Sequence, residues 1–205
     1  MDANDFAAFA RTQRAHRHFT DTPVDDELVT TLLDAATRAP SAENTQPWVF
    51  VVVRDSTTRA RIGELTRQLW DGGAREYEAQ HLDPRILSAM DHSAAGGFAE
   101  APVHVVIGGD TERCLEPVLE ASVWPAVQNL LLAATAAGLG SALTTLTTFF
   151  ADELRTLTGL PQNVRPLAVV PLGWPTAPLG PNRRRPLHEV AFAEHYGNRR
   201  AYKGS

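Results

Sequence analysis

Ala39-Pro40-Ser41-Ala42-Glu43-Asn44-Thr45-Gln46-Pro47-Trp48 runs straight into Val49-Phe50-Val51-Val52-Val53, and this stretch decides the fold class. Trp48 to Val53 is an unbroken β-branched and aromatic run, which predicts a strand buried on both faces. The residues before it are short, polar and broken by two prolines, so they predict a loop delivered to the end of that strand. Asn44 and Gln46 carry side-chain amides, each a donor pair and an acceptor. Such a cluster beside a sheet suits a planar heterocycle with alternating donors and acceptors. The same residues also read as a loop closed on itself by Asx turns.

Working outward, the pattern alternates between helix and strand. Residues 3–18 predict a helix with Phe6, Phe9 and Ala10 as its apolar stripe, and Arg11, Arg14 and Arg17 recurring every third position. Asp25 is placed to cap a second helix whose buried stripe is Leu28, Leu32, Ala35 and Ala36, ended by Pro40. Ser56 is placed to cap a helix over 57–70. Residues 71–100, with Gly72-Gly73, Pro84 and Gly96-Gly97, predict short helices and a mobile lid. Val103–Ile107 and Leu167–Leu172 predict two more strands, and Ser141–Thr145 a short one. Between them, Glu116–Ala137 predicts a long apolar helix, covered on most sides and stopped by Gly138. Residues 151–158 predict a short helix. Residues 176–205 are rich in Pro, Arg and aromatic residues without a period, and suit a tail that wraps a partner subunit. The whole, residues 1–205, predicts a single α/β or α+β domain with a small sheet.

Composition removes several function classes. The chain has 205 residues, 43% hydrophobic and 21% charged, with a net charge of −5. That charge argues against a generic nucleic-acid or anionic-membrane binder. One cysteine, Cys114, permits no intrachain disulfide framework and reads as a small buried hydrophobe. No apolar run reaches 18 residues, and Met1-Asp2-Ala3-Asn4-Asp5 lacks the basic region of a signal peptide, so a cytoplasmic address is expected. Of the 19 basic residues only Lys203 is lysine. Arginine is the better fork for phosphate and carboxylate, and it clusters at Arg11, Arg14 and Arg17 and again at Arg183, Arg184 and Arg185.

Common catalytic motifs do not complete. Gly138-Leu139-Gly140-Ser141-Ala142-Leu143 starts like a dinucleotide fingerprint but lacks its last glycine and follows a helix, so it reads as a helix C-cap and turn. His188-Glu189 opens like a zinc-protease motif, but position 192 is Phe, and His16 and His18 have no third ligand, so no metal is expected. No nucleophile elbow occurs.

The ordered motifs carry a family resemblance. Arg14-Ala15-His16-Arg17-His18-Phe19 with Pro23-Val24 resembles the opening of the nitroreductase family of FMN-dependent oxidoreductases. Ala39–Trp48 resembles the second signature of that family. Gly138-Leu139-Gly140-Ser141, Pro171-Leu172-Gly173-Trp174-Pro175 and Arg184-Arg185-Pro186-Leu187 follow in the same order as the later landmarks, so the resemblance spans about residues 11–195.

That resemblance implies an α+β fold, a nitroreductase-like α/β sandwich with a small mixed sheet flanked by helices, forming an intertwined homodimer with FMN at the interface. It implies hydride transfer from NAD(P)H through flavin N5 to nitroaromatic, quinone or related small-molecule acceptors in a ping-pong cycle, so no catalytic side chain is expected. It assigns Gln13, Arg14, Ala15 and Arg17 to the cofactor, with Arg184 or its neighbour Arg185 closing on the phosphate. Pro40, Ser41, Ala42, Asn44 and Gln46 belong to the cofactor site too, with Ser41, Asn44 and Gln46 reaching it from the other subunit. Backbone groups of Thr145, Leu146 and Thr147 would lie by flavin N5. Arg17 is the candidate for the flavin N1–C2=O edge, where a cation stabilises the reduced ring. Where the family often has a basic residue and a hydroxyl, this chain has Gln13 and Ala15, and Arg11 is the candidate substitute from one turn earlier. Trp70, Tyr77, His81, Phe98 and Trp124 are candidate acceptor-side residues, each equally readable as core packing or lid anchoring. Rival functions are a specialised member (a metabolite dehydrogenase, a dehalogenase or a flavin-fragmenting enzyme) and a non-catalytic flavin-binding protein.

Overall fold

A computed structural model of the chain describes residues 2–199. In chain order the elements are α1 (Ala3–Ala10), α2 (Asp26–Thr37), β1 (Trp48–Val53), α3 (Ser56–Leu69), α4 (Arg75–Ala79), α5 (Pro84–His92), α6 (Phe98–Glu100), β2 (Val103–Asp110), α7 (Glu116–Ala136), β3 (Gly140–Ser141), α8 (Ala151–Thr158), β4 (Val164–Gly173) and α9 (Leu187–Val190). The sheet order is β1-β2-β4-β3, and every ladder is antiparallel. The mixed character expected of the sheet reduces, among the described residues, to one parallel bridge between Ala15 and Ser141.

Alternation along the two central strands builds two cores. Val103, Val105 and Ile107 of β2, with Val170 and Leu172 of β4, pack against α2 and α7 through Leu32, Val123, Val127 and Leu130. Val106 and Val169 point the other way, onto Ile62, Leu65, Phe98 and Leu154 from α3, α6 and α8. Each such side chain contributes roughly 1.5–3 kcal/mol of burial free energy, so the sheet is a rigid plate clamped from both sides. The both-faces burial expected of Trp48–Val53 belongs instead to β2 and β4. β1 is an edge strand and Val52 on it is 36% exposed.

Local chemistry explains the boundaries that differ from expectation. The first helix ends at Ala10 rather than 18. Its start is held by a reciprocal capping box between Asp2 and Asp5. Beyond it the chain is claimed by long-range pairing: His16 N–H donates to the Ser141 carbonyl (2.9 Å) and Thr20 N–H to that of Trp174 (2.8 Å). Arg14 and Arg17 therefore do not form a helical stripe with Arg11. The cap of α3 is Asp55, whose carboxylate accepts from the Thr58 amide and hydroxyl (2.8 Å each), and Ser56 is the first helical residue. Asp25 does occupy the N-cap of α2, but its side chain makes no capping bond. The strand expected at 141–145 shortens to β3 plus a bridge from Thr144 to Val169.

α7 ends as the sequence predicts, with Gly138 at φ 77°, a conformation glycine adopts without strain. Within one chain its cover is one-sided. Leu119, Val123, Val127, Leu130 and Ala134 are buried, whereas Trp124, Leu132 and Ala133 are only half-buried and Val118 is exposed. Residues 71–100 do form short helices, joined by wide turns at Trp70–Ala74 and Ser93–Gly97. Among the described residues no helix is long and apolar enough to cross a membrane.

Candidate functional site

The two ends of the described chain meet beside β3. Asn182 N–H donates to the Arg11 carbonyl (2.9 Å), and its side-chain amide donates to the carbonyls of Ala10 (3.1 Å) and Gln13 (3.5 Å). In return the Arg14 guanidinium donates to the carbonyls of Gly180 (2.7 Å) and Pro181 (3.1 Å). The opening part of the expected wrapping tail, through residue 184, is thus held against the N-terminal segment of its own chain. Residues 200–205 of that tail lie outside the described residues.

This junction walls a cavity of about 880 Å³, within the usual range for small-molecule sites. Gln13, Arg14, Ala15 and Arg17 line one side and Gly180 to Arg184 another. Leu131, Leu143 and Leu179 supply apolar wall, and Asp83, Arg85 and Ile86 from the start of α5 complete it. Five of the sequence-predicted residues, Gln13, Arg14, Ala15, Arg17 and Arg184, are brought together here. Arg185 does not line the cavity; it pairs at 3.8 Å with Glu189. Arg11 does not line it either.

Charge in the cavity is one-sided. Arg17 is half-buried, and burial lowers its pKa below the ordinary arginine value. It makes no hydrogen bond or ion pair with any described residue, an unusual state for a sequestered guanidinium. Arg183 and Arg184 likewise have no carboxylate partner among the described residues. Half-buried His16 has its pKa lowered by burial first and then by Arg14, which favours the neutral ring. Such a set fits a phosphate-bearing group: guanidinium forks match phosphate oxygens, and an anion would supply what Arg17 lacks.

Other expected residues lie elsewhere in the chain. The loop before β1 docks on α7, where Ala42 N–H donates to Ser122 Oγ (3.0 Å). Gln46 N–H donates to Ser41 Oγ (3.0 Å) and the Gln46 amide to the Asn44 carbonyl (3.3 Å). Glu43, Asn44 and Gln46 all have positive φ, at 53°, 57° and 50°. Non-glycine residues hold that conformation only where surroundings over-determine it. None of Pro40, Ser41, Ala42, Asn44 and Gln46 lines the arginine cavity. Thr145 lines a separate depression of about 520 Å³ with Trp124, Glu120 and Arg165. Leu146 and Thr147 follow in a tight turn, Thr147 fully buried.

Two acceptor-side candidates lie in the protein interior. Trp70 is buried, its indole N–H donating to Asp91 (2.9 Å), and Phe98 is a core residue with its ring on that of His104 (4.5 Å between centroids). Trp70 opens the wide turn that contains Gly73, and Phe98 follows the one that contains Gly96. Tyr77 is exposed and its ring rests on His81, 4.6 Å away. Trp124 donates its indole N–H to Glu120 (3.2 Å). The sequence reasoning missed Asn182, the leucine wall and Arg85. Arg183 had a signal, its place in the arginine triplet; Asn182 had none.

Comparison with known proteins bears on this geometry. The family model described as Nitroreductase family matches residues 10–174. An NADH dehydrogenase of Thermus thermophilus is 29% identical over 199 residues, covering 89% of this chain and 93% of its own. A nitrobenzene nitroreductase of Ectopseudomonas oleovorans is 31% identical over 193 residues, 80% of this chain and 84% of its own. Chemistry varies among relatives: an iodotyrosine deiodinase of Hydra vulgaris is 26% identical over 197 residues, 92% of this chain and 72% of its own. A solved structure from Desulfovibrio desulfuricans, provisionally described as a nitroreductase in complex with FMN, superposes with a TM-score of 0.71 at 26% identity, covering 95% of this chain and 99% of that one. With four-fifths of its length matched by the family model, this chain belongs to the nitroreductase family.

Proposed function

We propose that the protein is an FMN-dependent oxidoreductase that takes reducing equivalents from NAD(P)H and delivers them to nitroaromatic, quinone or related small acceptors by a ping-pong cycle. The observation that carries this reading is the convergence of Arg14, Arg17 and Arg184 on one cavity in which Arg17 has no protein partner. FMN bound there would supply the two-electron redox chemistry.

The chain's own residues would do the rest. Arg184 and Arg14 would hold the phosphate, Arg14 braced by the Gly180 and Pro181 carbonyls. Arg17 would face the flavin N1–C2=O edge and favour the reduced, more negative ring. Leu131 and Leu143 would keep water from one part of the cavity. The pre-formed loop at Pro40, Ser41, Ala42, Asn44 and Gln46 would complete the site from a second copy of the chain, and the backbone at Thr145–Thr147 would lie by flavin N5. A homodimer is supported by the open side of α7 and by exposed Leu115 and Phe149. Residues 71–100 would act as the lid and the end of the tail as a strap on the partner.

The experiment is direct. Purified protein should be yellow, or become so with FMN, and should bleach anaerobically with NADH or NADPH. A yellow protein that neither nucleotide bleaches would point to a specialised redox partner or to a flavin-binding role without turnover. A colourless protein that FMN cannot reconstitute would overturn the reading. Sedimentation should show a dimer, and a flavin-loaded monomer would contradict a shared site.

A further inference from the structure

The arginine cavity holds more positive charge than one phosphate uses. Arg14, Arg17, Arg85, Arg183 and Arg184 line it, against one carboxylate, Asp83. Asp83 is partly committed: its Oδ1 accepts from the Arg85 backbone N–H (2.9 Å) as the N-cap of α5. The formal surplus is four positive charges, whereas a phosphate monoester carries close to two negative ones. The uncommitted cation farthest from the chain ends is Arg85, which pairs with no carboxylate among the described residues. It arises from α5, a different element from the others. Its neighbour Ile86 is 46% exposed and lines the same cavity, as do Leu131, Leu143 and Leu179.

A guanidinium beside an apolar wall recognises an anion attached to a flat apolar body. We propose that Arg85 is a specificity residue that selects acceptors bearing a carboxylate on an aromatic ring. The carboxylate would meet the Arg85 fork while the ring packs against Ile86 and the leucines. α5 is tied to the N-terminal segment independently, since the His92 ring stacks on His18 at 3.9 Å with an 18° tilt. Arg85 is thereby carried on an element anchored to the N-terminal side of the site. This inference rests on the flavoenzyme reading above.

The test uses FMN-loaded protein. Calorimetry should show benzoate binding about tenfold tighter than its neutral isostere benzamide, the ratio a single charge-assisted contact on a partly solvated site supports. Arg85→Gln should erase that preference, and Arg85→Lys should restore part of it. In turnover, the ratio of kcat/KM for 4-nitrobenzoate to that for nitrobenzene should fall about tenfold in Arg85→Gln. The wild-type preference for 4-nitrobenzoate should also shrink as salt is raised. Equal binding of benzoate and benzamide, or a ratio unmoved by Arg85→Gln, overturns the inference. So does a variant whose only defect is against NADPH relative to NADH, because the anion read would then be the nucleotide's 2′-phosphate. FMN titration is scored separately. If the wild type fails to bind FMN, the flavoenzyme reading itself falls; if FMN binds and anion selectivity is absent, only the role of Arg85 falls.

Discussion

Replacing Arg17 with glutamine should make the flavin-free protein more stable and the flavin complex weaker. Arg17 is half-buried, its pKa is lowered by burial, and no described acceptor compensates it. An isolated ion withdrawn from water costs several kcal/mol at full burial. At partial burial, with water still reaching the fork, relief of about 1 kcal/mol is expected from Arg17→Gln. For a chain of this size that is a rise of roughly 2–4 °C in Tm. In the complex the balance reverses. A hydrogen bond to a charged group contributes about 1.5–3 kcal/mol, so FMN should bind roughly 10- to 150-fold more weakly. Flavin is stripped first, and both apoproteins are melted at one protein concentration, because dimerisation makes Tm concentration-dependent. FMN is then titrated and its fluorescence quenching followed. An apoprotein that melts lower than wild type, together with FMN affinity within about twofold, would refute the claim that Arg17 is an uncompensated cation awaiting an anion.

Three further outcomes are expected. Arg14→Ala combined with Arg184→Ala should weaken FMN binding at least tenfold while the circular dichroism spectrum is retained; unchanged affinity would remove both from the phosphate site. His104 is fully buried, its Nε2 bonded to the Phe98 carbonyl at 2.8 Å, and burial pulls its pKa to about 4, with Arg59 adding to the effect. An unfolded histidine titrates near 6.5, so the unfolded chain gains a proton that the folded chain refuses. Stability from this residue is complete above about pH 6.5, falls as pH drops towards 4, and loses roughly 3 kcal/mol in all. His104→Gln should flatten the urea midpoint over that window, and parallel profiles for the two proteins would assign the titration elsewhere. Asp91 takes the Trp70 indole N–H and the Arg75 fork (2.7 and 3.0 Å), and those partners hold its pKa below the usual carboxylate range, Arg75 foremost. Because the ion pair is solvent-exposed, Asp91→Asn should leave the global melting temperature close to that of the wild type. Its mark should be faster hydrogen exchange across residues 70–92, and exchange confined to other segments would speak against a pinning role.

What could be seen in advance depended on how local the causes were. β2, β4 and α7 are legible because their burial is written in continuous apolar residues, Val103–Ile107, Leu167–Leu172 and the leucines and alanines around 130. α1 was overextended because nothing near Arg14 reveals that Ser141 and Trp174 will claim the backbone at 16 and 20. β1 looked central because Trp48–Val53 has the composition of a covered strand, and only the sheet order makes it an edge. Arg14, Arg17 and Arg184 could be joined only through resemblance to a family, since periodicity does not reach across a separation of more than 160 residues. The interior placement of Trp70 and Phe98 is not legible because aromatic residues in an irregular segment carry no phase.

The hydrogen bonds that join Arg14 to Gly180 and Pro181 span 166 and 167 residues. A ribosome adding about 5–20 residues per second therefore displays Arg14 and Arg17 for roughly ten seconds or longer before their wall arrives. The sheet can be assembled once β4 has emerged, but the cavity cannot. On the proposed assignment, cofactor capture would follow translation through Gly180. A product truncated ahead of Gly180 could retain both cores and still be unable to hold its ligand.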